Sequence, residues 1–213
     1  MSAVLAEMTP GFRDPVHGAQ QSFRTLLDAM SRPGRAQALP SAALDGIVPP
    51  SVPHGTALSL STAAVLLCLL DAETTVHLSG RLATAPSLAW LRFHTGVRLA
   101  ARGDAAAFTV TRAAELETLL WEALDIGSDE APQDGGTLII EVDSLETGTP
   151  LQLRGPGIED VQPLCVAGPS PAFWQWRRQL STQRPRGIDL VLCCGDRLAA
   201  LPRSTRIEIS PKA

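Results

Sequence analysis

Apolar positions change period along this chain, and the changes outline its elements. In HGAQQSFRTLLDAMSRPG, Phe23, Leu26, Leu27 and Met30 recur at i, i+3, i+4 and i+7. That spacing predicts one apolar stripe on a helix. Asp14-Pro15 supplies a cap acceptor and a proline for the first turn, and Pro33-Gly34 ends the helix. Ala57 to Leu70 is apolar almost throughout and predicts a buried helix. Pro86 opens another, SLAWLRFHTG, which Gly96 stops. Leu116, Leu119, Leu120 and Ala123 predict an amphipathic helix over 113–124. Pro171 to Gln183 predicts the last helix.

Strand patterns fall between these helices. Thr74 to Ser79 and Ala107 to Thr111 are short β-rich runs. TLIIEVDSL and PLQLRG, joined by ETGT, predict a hairpin. Ile188 to Cys194 is almost continuously apolar, as expected of a central strand covered on both faces. Cys194-Gly195-Asp196-Arg197 reads as the turn into the next strand. GSDEAPQDGG reads as an acidic, flexible loop, and residues 1–13 as a loosely ordered lead-in to a single domain spanning 1–213. Helices dispersed among strands predict an α/β sandwich with a mixed sheet.

Composition narrows the chemistry. The 213 residues carry 18 basic and 22 acidic side chains, a formal charge of −4, which disfavours a nucleic-acid surface. No apolar run is long enough to span a bilayer and no signal peptide is evident, so the expected location is the cytoplasm. The sole lysine is Lys212. An interior Schiff base or a phosphate-loop lysine is therefore hard to build, and an anion would rely on arginine, backbone N–H groups or a helix start. Cys68, Cys165, Cys193 and Cys194 form no C-x-x-C pair, and no metal or other cofactor is expected. Adjacent Cys193 and Cys194 would point to opposite faces of a strand.

Four side chains stand out as candidates for meeting an anion or a partner: Arg92, His94, Arg197 and Arg203. Arg92 and His94 have two readings. They either answer the negative end of a helix whose last residue is the left-handed Gly96, or bind an anion. The last motif carries Arg197, Arg203 and Arg206, and arginine with Ser204 and Thr205 could form an anion-binding corner or an interface rim. Glu141 and Asp143 share a face of a predicted strand, either as an acid–base pair or as its solvent side. Trp174 and Trp176, beside Arg177 and Arg178, read as interface or core anchors. RGPGIED reads as a strand-ending turn.

Several of these stretches occur in a known family. SFRTLLDAMSRPG, SLAWLRFHTG, GTLIIEV, LQLRGPGI and GIDLVLCCGDRLAALPRSTRIE follow one another across residues 14–209, and in them the chain resembles the PhnH family of the bacterial carbon–phosphorus lyase system. The resemblance implies a three-layer α/β/α fold like the large domain of PLP-dependent transferases, without PLP. It implies a homodimer that joins PhnG, PhnI and PhnJ in a core complex. With PhnG, PhnI and PhnL such a subunit supports transfer of a phosphonate onto the ribose of ATP, releasing adenine and forming a ribose 1-phosphonate 5-triphosphate. It carries over no catalytic residue, and cleavage of the carbon–phosphorus bond belongs to a separate iron–sulfur subunit. An accessory role in the complex is the first reading. A stand-alone nucleotide- or phosphonate-binding protein or small transferase is the second, and a degenerate PLP enzyme without a Schiff base the third.

Overall fold

A computed structural model describes the chain except residues 1–7, 53–54, 57, 102–103, 120, 122–123 and 211–213. Lys212 and His54 lie outside the described residues. The frame is a seven-stranded mixed sheet. Its strands are β1 (Gln37–Ala38), β4 (Thr75–Leu78), β5 (Arg98–Leu99), β6 (Phe108–Arg112), β7 (Thr137–Glu141), β10 (Asp189–Cys194) and β11 (Arg197–Leu201). They lie in the order β1-β11-β10-β7-β6-β4-β5. Strands β4, β5, β6, β7 and β10 run parallel, while β11 pairs antiparallel with β10 and β1. Strands β2 (Ser51–Val52) and β3 (Gly55–Thr56) form a separate two-stranded ribbon.

Alternation of side chains divides the core. Val110, Ile139, Val191, Cys193, Leu198 and Ala200 face the helices α1 (Pro15–Ser31), α2 (Ser41–Leu44), α3 (Leu60–Leu69) and α4 (Ala85–Thr95). Leu138, Ile140, Leu190, Leu192, Ala199 and Leu201 face the opposite layer. That layer holds helix α5 (Pro171–Leu180) and a three-stranded antiparallel sheet, β12 (Arg206–Ile209), β8 (Ser144–Arg154) and β9 (Gln162–Ala167). The α/β class and the mixed sheet are as expected, whereas one outer layer is part sheet. Strands β7 and β10 are apolar on both faces because both faces are covered.

Several local expectations meet their physical reasons here. Asp14 caps α1 by accepting from the N–H groups of Val16 and His17, each at 3.1 Å. Its buried stripe differs from the predicted one: Gly18, Ser22, Leu26 and Ala29 face inward, while Phe23 and Leu27 stay 45% and 51% exposed. Small side chains let α1 lie close to α3, so it seats on its small-residue face and leaves the bulkier positions outside. Helix α3 starts at Ser59, whose hydroxyl accepts from the Thr62 N–H at 3.2 Å.

Within the predicted helix over 113–124, Ala113–Thr118 is instead a 3-10 stretch followed by extended backbone at Leu119, and Leu120 and Ala123 lie outside the described residues. The predicted hairpin of TLIIEV with PLQLRG does not form. β7 pairs with β6 and β10, and the chain then leaves for the second sheet, where ETGT lies within β8 at a register irregularity between Ser144 and Thr149. The acidic loop is tied down. Pro132–Asp134 forms a 3-10 turn, Arg186 lies 3.3 Å from Asp129, and Arg203 binds two loop carbonyls. After β8, Gly157 at φ 81 passes so close to the end of α1 that a Cβ there would come within 2.2 Å of the Ser31 carbonyl oxygen.

Candidate functional site

In open α/β sheets the carboxyl ends of the strands are the usual place for a ligand. Here those ends carry Arg112 of β6, Glu141 of β7 and Cys194 of β10, with Arg197 across the turn. The N-terminus of α3 comes down onto them. One Glu141 carboxylate oxygen accepts from the Ser59 N–H at 2.6 Å and the other from Arg112 Nε at 3.3 Å. The Glu141 side chain is only 12% exposed. Glu141 thus answers the positive end of a helix dipole and a guanidinium together. Ser59 Oγ lies 2.8 Å from Thr62 Oγ1 and 3.3 Å from Ser61 Oγ, and the Ser61 N–H donates to the Gly195 carbonyl at 2.9 Å.

The cysteines at this edge face opposite ways, as their adjacency implied. Cys193 is fully buried under Ser61 and Thr62, and burial pushes its thiol up to about 12. Cys194 is half-exposed, with Sγ 3.6 Å from the Asp143 carbonyl, and desolvation raises its pKa. Both thiols are protonated near neutrality, which makes them poor nucleophiles. All four cysteines are free. Among the described residues no three His, Cys, Asp or Glu side chains gather as metal ligands. Among the described residues the edge is a charge-compensated polar surface without a paired nucleophile and base.

The four sequence candidates are not gathered in one place. Arg197 joins Glu146 in an ion pair at the carboxyl edge. Arg203 lies at the amino edge, beyond the other end of β11. Its Nη2 donates to Asp189 Oδ2 at 2.7 Å and to the Gly135 carbonyl at 3.0 Å, and its backbone N–H donates to Asp189 Oδ1 at 2.7 Å. A cleft of about 580 Å³, lined by Asp125, Asp134, Asp189 and Arg203 among others, opens there.

Arg92 and His94 end α4, where Gly96 takes the left-handed conformation at φ 72. Arg92 is exposed. His94 Nε2 lies 3.0 Å from the Thr9 carbonyl, which also accepts from Trp90 Nε1 at 2.9 Å. The His94 ring also meets Trp90 and Phe93 edge-on, with centroids 5.0 Å apart in each case. This histidine holds the lead-in segment, in which Val48 N–H donates to the Pro10 carbonyl and Arg13 N–H to that of Asp45, both at 3.0 Å.

Sequence reasoning did not foresee the Ser59–Glu141–Arg112 arrangement. Its one signal was the S-x-S-T run opening an apolar helix, because Ser59 to Glu141 spans 82 positions. Glu141 proves to be held inside, while Asp143 lies beyond the strand end. Trp174 is wholly buried and Trp176 packs against the same core with Trp121 and Phe173, so both are core anchors.

The model of the family described as "Bacterial phosphonate metabolism protein (PhnH)" matches residues 10–208. The chain belongs to the PhnH family. A relative in Rhizobium meliloti (strain 1021), named "Alpha-D-ribose 1-methylphosphonate 5-triphosphate synthase subunit PhnH", is 36% identical over 201 residues, covering 92% of this chain and 94% of that protein. HtxG of Stutzerimonas stutzeri, named for the C-P lyase system, is 33% identical over 190 residues, covering 89% and 86%. The PhnH match takes in both edges of the sheet, the arginine-rich end of α5 and nearly all of β12.

Proposed function

We infer that this chain is an accessory subunit of a bacterial carbon–phosphorus lyase complex. It supports formation of ribose 1-methylphosphonate 5-triphosphate from ATP and methylphosphonate, and its partners carry the chemistry. The observation that carries this reading is the 36% identity to a synthase subunit across 94% of that protein. Two structural features favour docking over self-contained catalysis. The carboxyl edge holds a satisfied Glu141–Arg112 pair, and the outer face of α1 exposes Val16, Phe23 and Leu27, at i, i+7 and i+11 of one stripe.

On this reading the free chain is a cytoplasmic homodimer that joins PhnG, PhnI and PhnJ and acts with PhnL. Its scaffold is that of the PLP-dependent transferase large domain without the cofactor. Arg92 and Arg197 serve as polar contacts to partners or to bound anion through the complex, Arg203 orders the walls of the amino-edge cleft from within, and His94 shapes the surface beside Arg92. The test is co-expression with the other subunits, followed by adenine release from ATP plus methylphosphonate with and without this chain. Release should require the chain, and equal release in its absence overturns the assignment.

A further inference from the structure

Helix α1 packs its inner face on α2, α3 and β11 and leaves three large apolar side chains in water. Val16, Phe23 and Leu27 are 63%, 45% and 51% exposed. At about 100° per residue, Phe23 and Leu27 lie within about 20° of Val16, one on either side. Gln20, also exposed, lies about 40° round from it. The three apolar groups therefore form one stripe about 17 Å long. A single exposed apolar residue is ordinary, but three in line on one helix face make an interaction surface.

The charges beside the stripe choose its occupant. Arg24 and Asp28 lie about 80° and about 120° round from Val16, on the same flank. Arg24 is exposed and pairs with no carboxylate among the described residues. Its i, i+4 spacing would let it bond Asp28 within the helix, but Asp28 turns to Arg32 instead, at 3.1 Å through Oδ1. The Asp28 side chain stays 34% exposed, so its carboxylate can accept a second guanidinium. Ala19 and Met30, on the other flank, are partly buried. The exposed stripe thus carries one free cation and one reachable anion, a turn apart on one side.

That arrangement is complementary to itself. A two-fold axis that sets two copies of α1 antiparallel brings the same flank of each helix together. Centred between Phe23 and Leu27, it packs Phe23 of one copy beside Leu27 of the partner subunit. Arg24 then faces Asp28 of the partner subunit, and the symmetry makes that pair twice. A parallel alignment would oppose arginine to arginine. We propose that the outer face of α1 is the seam of a two-fold dimer of this chain, closed by its apolar stripe and by two Arg24–Asp28 ion pairs between copies. The 17-residue helix is about 25 Å long, so this contact alone falls short of the about 800 Å² per partner of a tight interface. The dimer is therefore weak, with dissociation in the micromolar range. The proposal rests on the homodimer of the reading above and adds which face closes it and through which groups.

The test is sedimentation velocity on the isolated full chain over a concentration series. Wild type should pass from monomer to dimer. Arg24→Asp and Asp28→Arg each put like charges across the seam twice, and each should weaken self-association about tenfold or more. An equal mixture of these two variants should associate again, because each then meets its opposite. Phe23→Ser should lose the dimer as well, and circular dichroism checks that all three variants fold. Self-association of the charge variants or of Phe23→Ser at wild-type strength overturns the seam. So does a mixture of folded variants that stays apart, or a wild type that stays monomeric. None of these results touches the subunit reading, which stands or falls with adenine release in the co-expressed assembly.

Discussion

The arginines at the amino edge and those along β12 lie within a few residues of one another in sequence and are used in opposite ways. Arg203 sits between Asp189 and the carbonyls of Pro132 and Gly135, its side chain 20% exposed, and cross-links three segments. Arg206, three residues on, reaches into an open cleft beside Arg178 and Arg184. The difference lies in the backbone around them. Arg203 follows the end of β11, where strand starts and a loop converge with carbonyls to satisfy. Arg206 begins an outer strand that pairs with β8 alone and faces the end of α5 across the cleft. Arginine content alone does not mark a binding surface; the supply of local acceptors decides.

Removing Arg203 is the strongest way to break that comparison. Arg203→Ala leaves the Asp189 carboxylate, 17% exposed, without its guanidinium and unties the acidic loop. The expected loss is about 3 kcal/mol in urea unfolding, in line with an interrupted buried pair. A loss comparable to that of an exposed arginine would show that the cross-link carries no stability.

His94→Ala should cost about 1 kcal/mol, one hydrogen bond plus ring contacts, and speed proteolysis of the lead-in segment. Arg92→Ala, two positions away but exposed, should leave both unchanged. The same unfolding measurement and limited proteolysis separate them.

Arg177 sharpens the comparison from the inside. It is 1% exposed, donates to the Pro202 carbonyl at 2.9 Å, and leaves Nε without a partner. Burial pulls its pKa down to about 10, against the pull of Asp189 and with the help of Arg203. The folded state therefore holds the charged form at a cost below that pH, and the cost fades as pH rises through about 10. Arg177→Met should leave stability within about 1 kcal/mol of wild type or raise it. Its advantage over wild type should shrink in unfolding curves taken above pH 10.

The smallest effect belongs to the cleft. Arg184→Ala and Arg206→Ala should each change stability by less than about 0.5 kcal/mol, because both are exposed and neither pairs with a carboxylate among the described residues. A larger loss in thermal unfolding would mean that the cleft arginines serve the fold.

What the sequence made legible followed from local rules. Asp14 as a cap, Gly96 as a left-handed stop, and the turn at Gly195 between an apolar strand and its antiparallel neighbour all depend on a few adjacent residues. The misread elements were decided by distant partners. TLIIEV and PLQLRG have the pattern of a hairpin, but β7 finds β6 and β10 on either side and has no free edge to offer. The apolar stripe Phe23–Leu27 loses to a small-residue face, where Ser22 and Ala29 turn inward and Gly18 leaves room for the Phe12 ring of the lead-in segment. At the site, the individual residues Arg197 and Arg203 were visible, but not their placement at opposite edges. Glu141 was visible only as half of a pair with Asp143, because its true partners come from a helix start and a neighbouring strand.

The grip of Trp90 and His94 on Thr9 has an evolutionary corollary. What both rings hold is a peptide oxygen, which every amino acid possesses, so no point change at position 9 deletes the acceptor. The Thr9 hydroxyl itself is buried with no partner, so valine would fit as well. What cannot vary is the count of residues between that oxygen and Pro15: an insertion or deletion there would slide it out from under both rings. Selection at this spot therefore acts on chain length and on the size of the side chain at position 9, and leaves its hydrogen-bonding chemistry free.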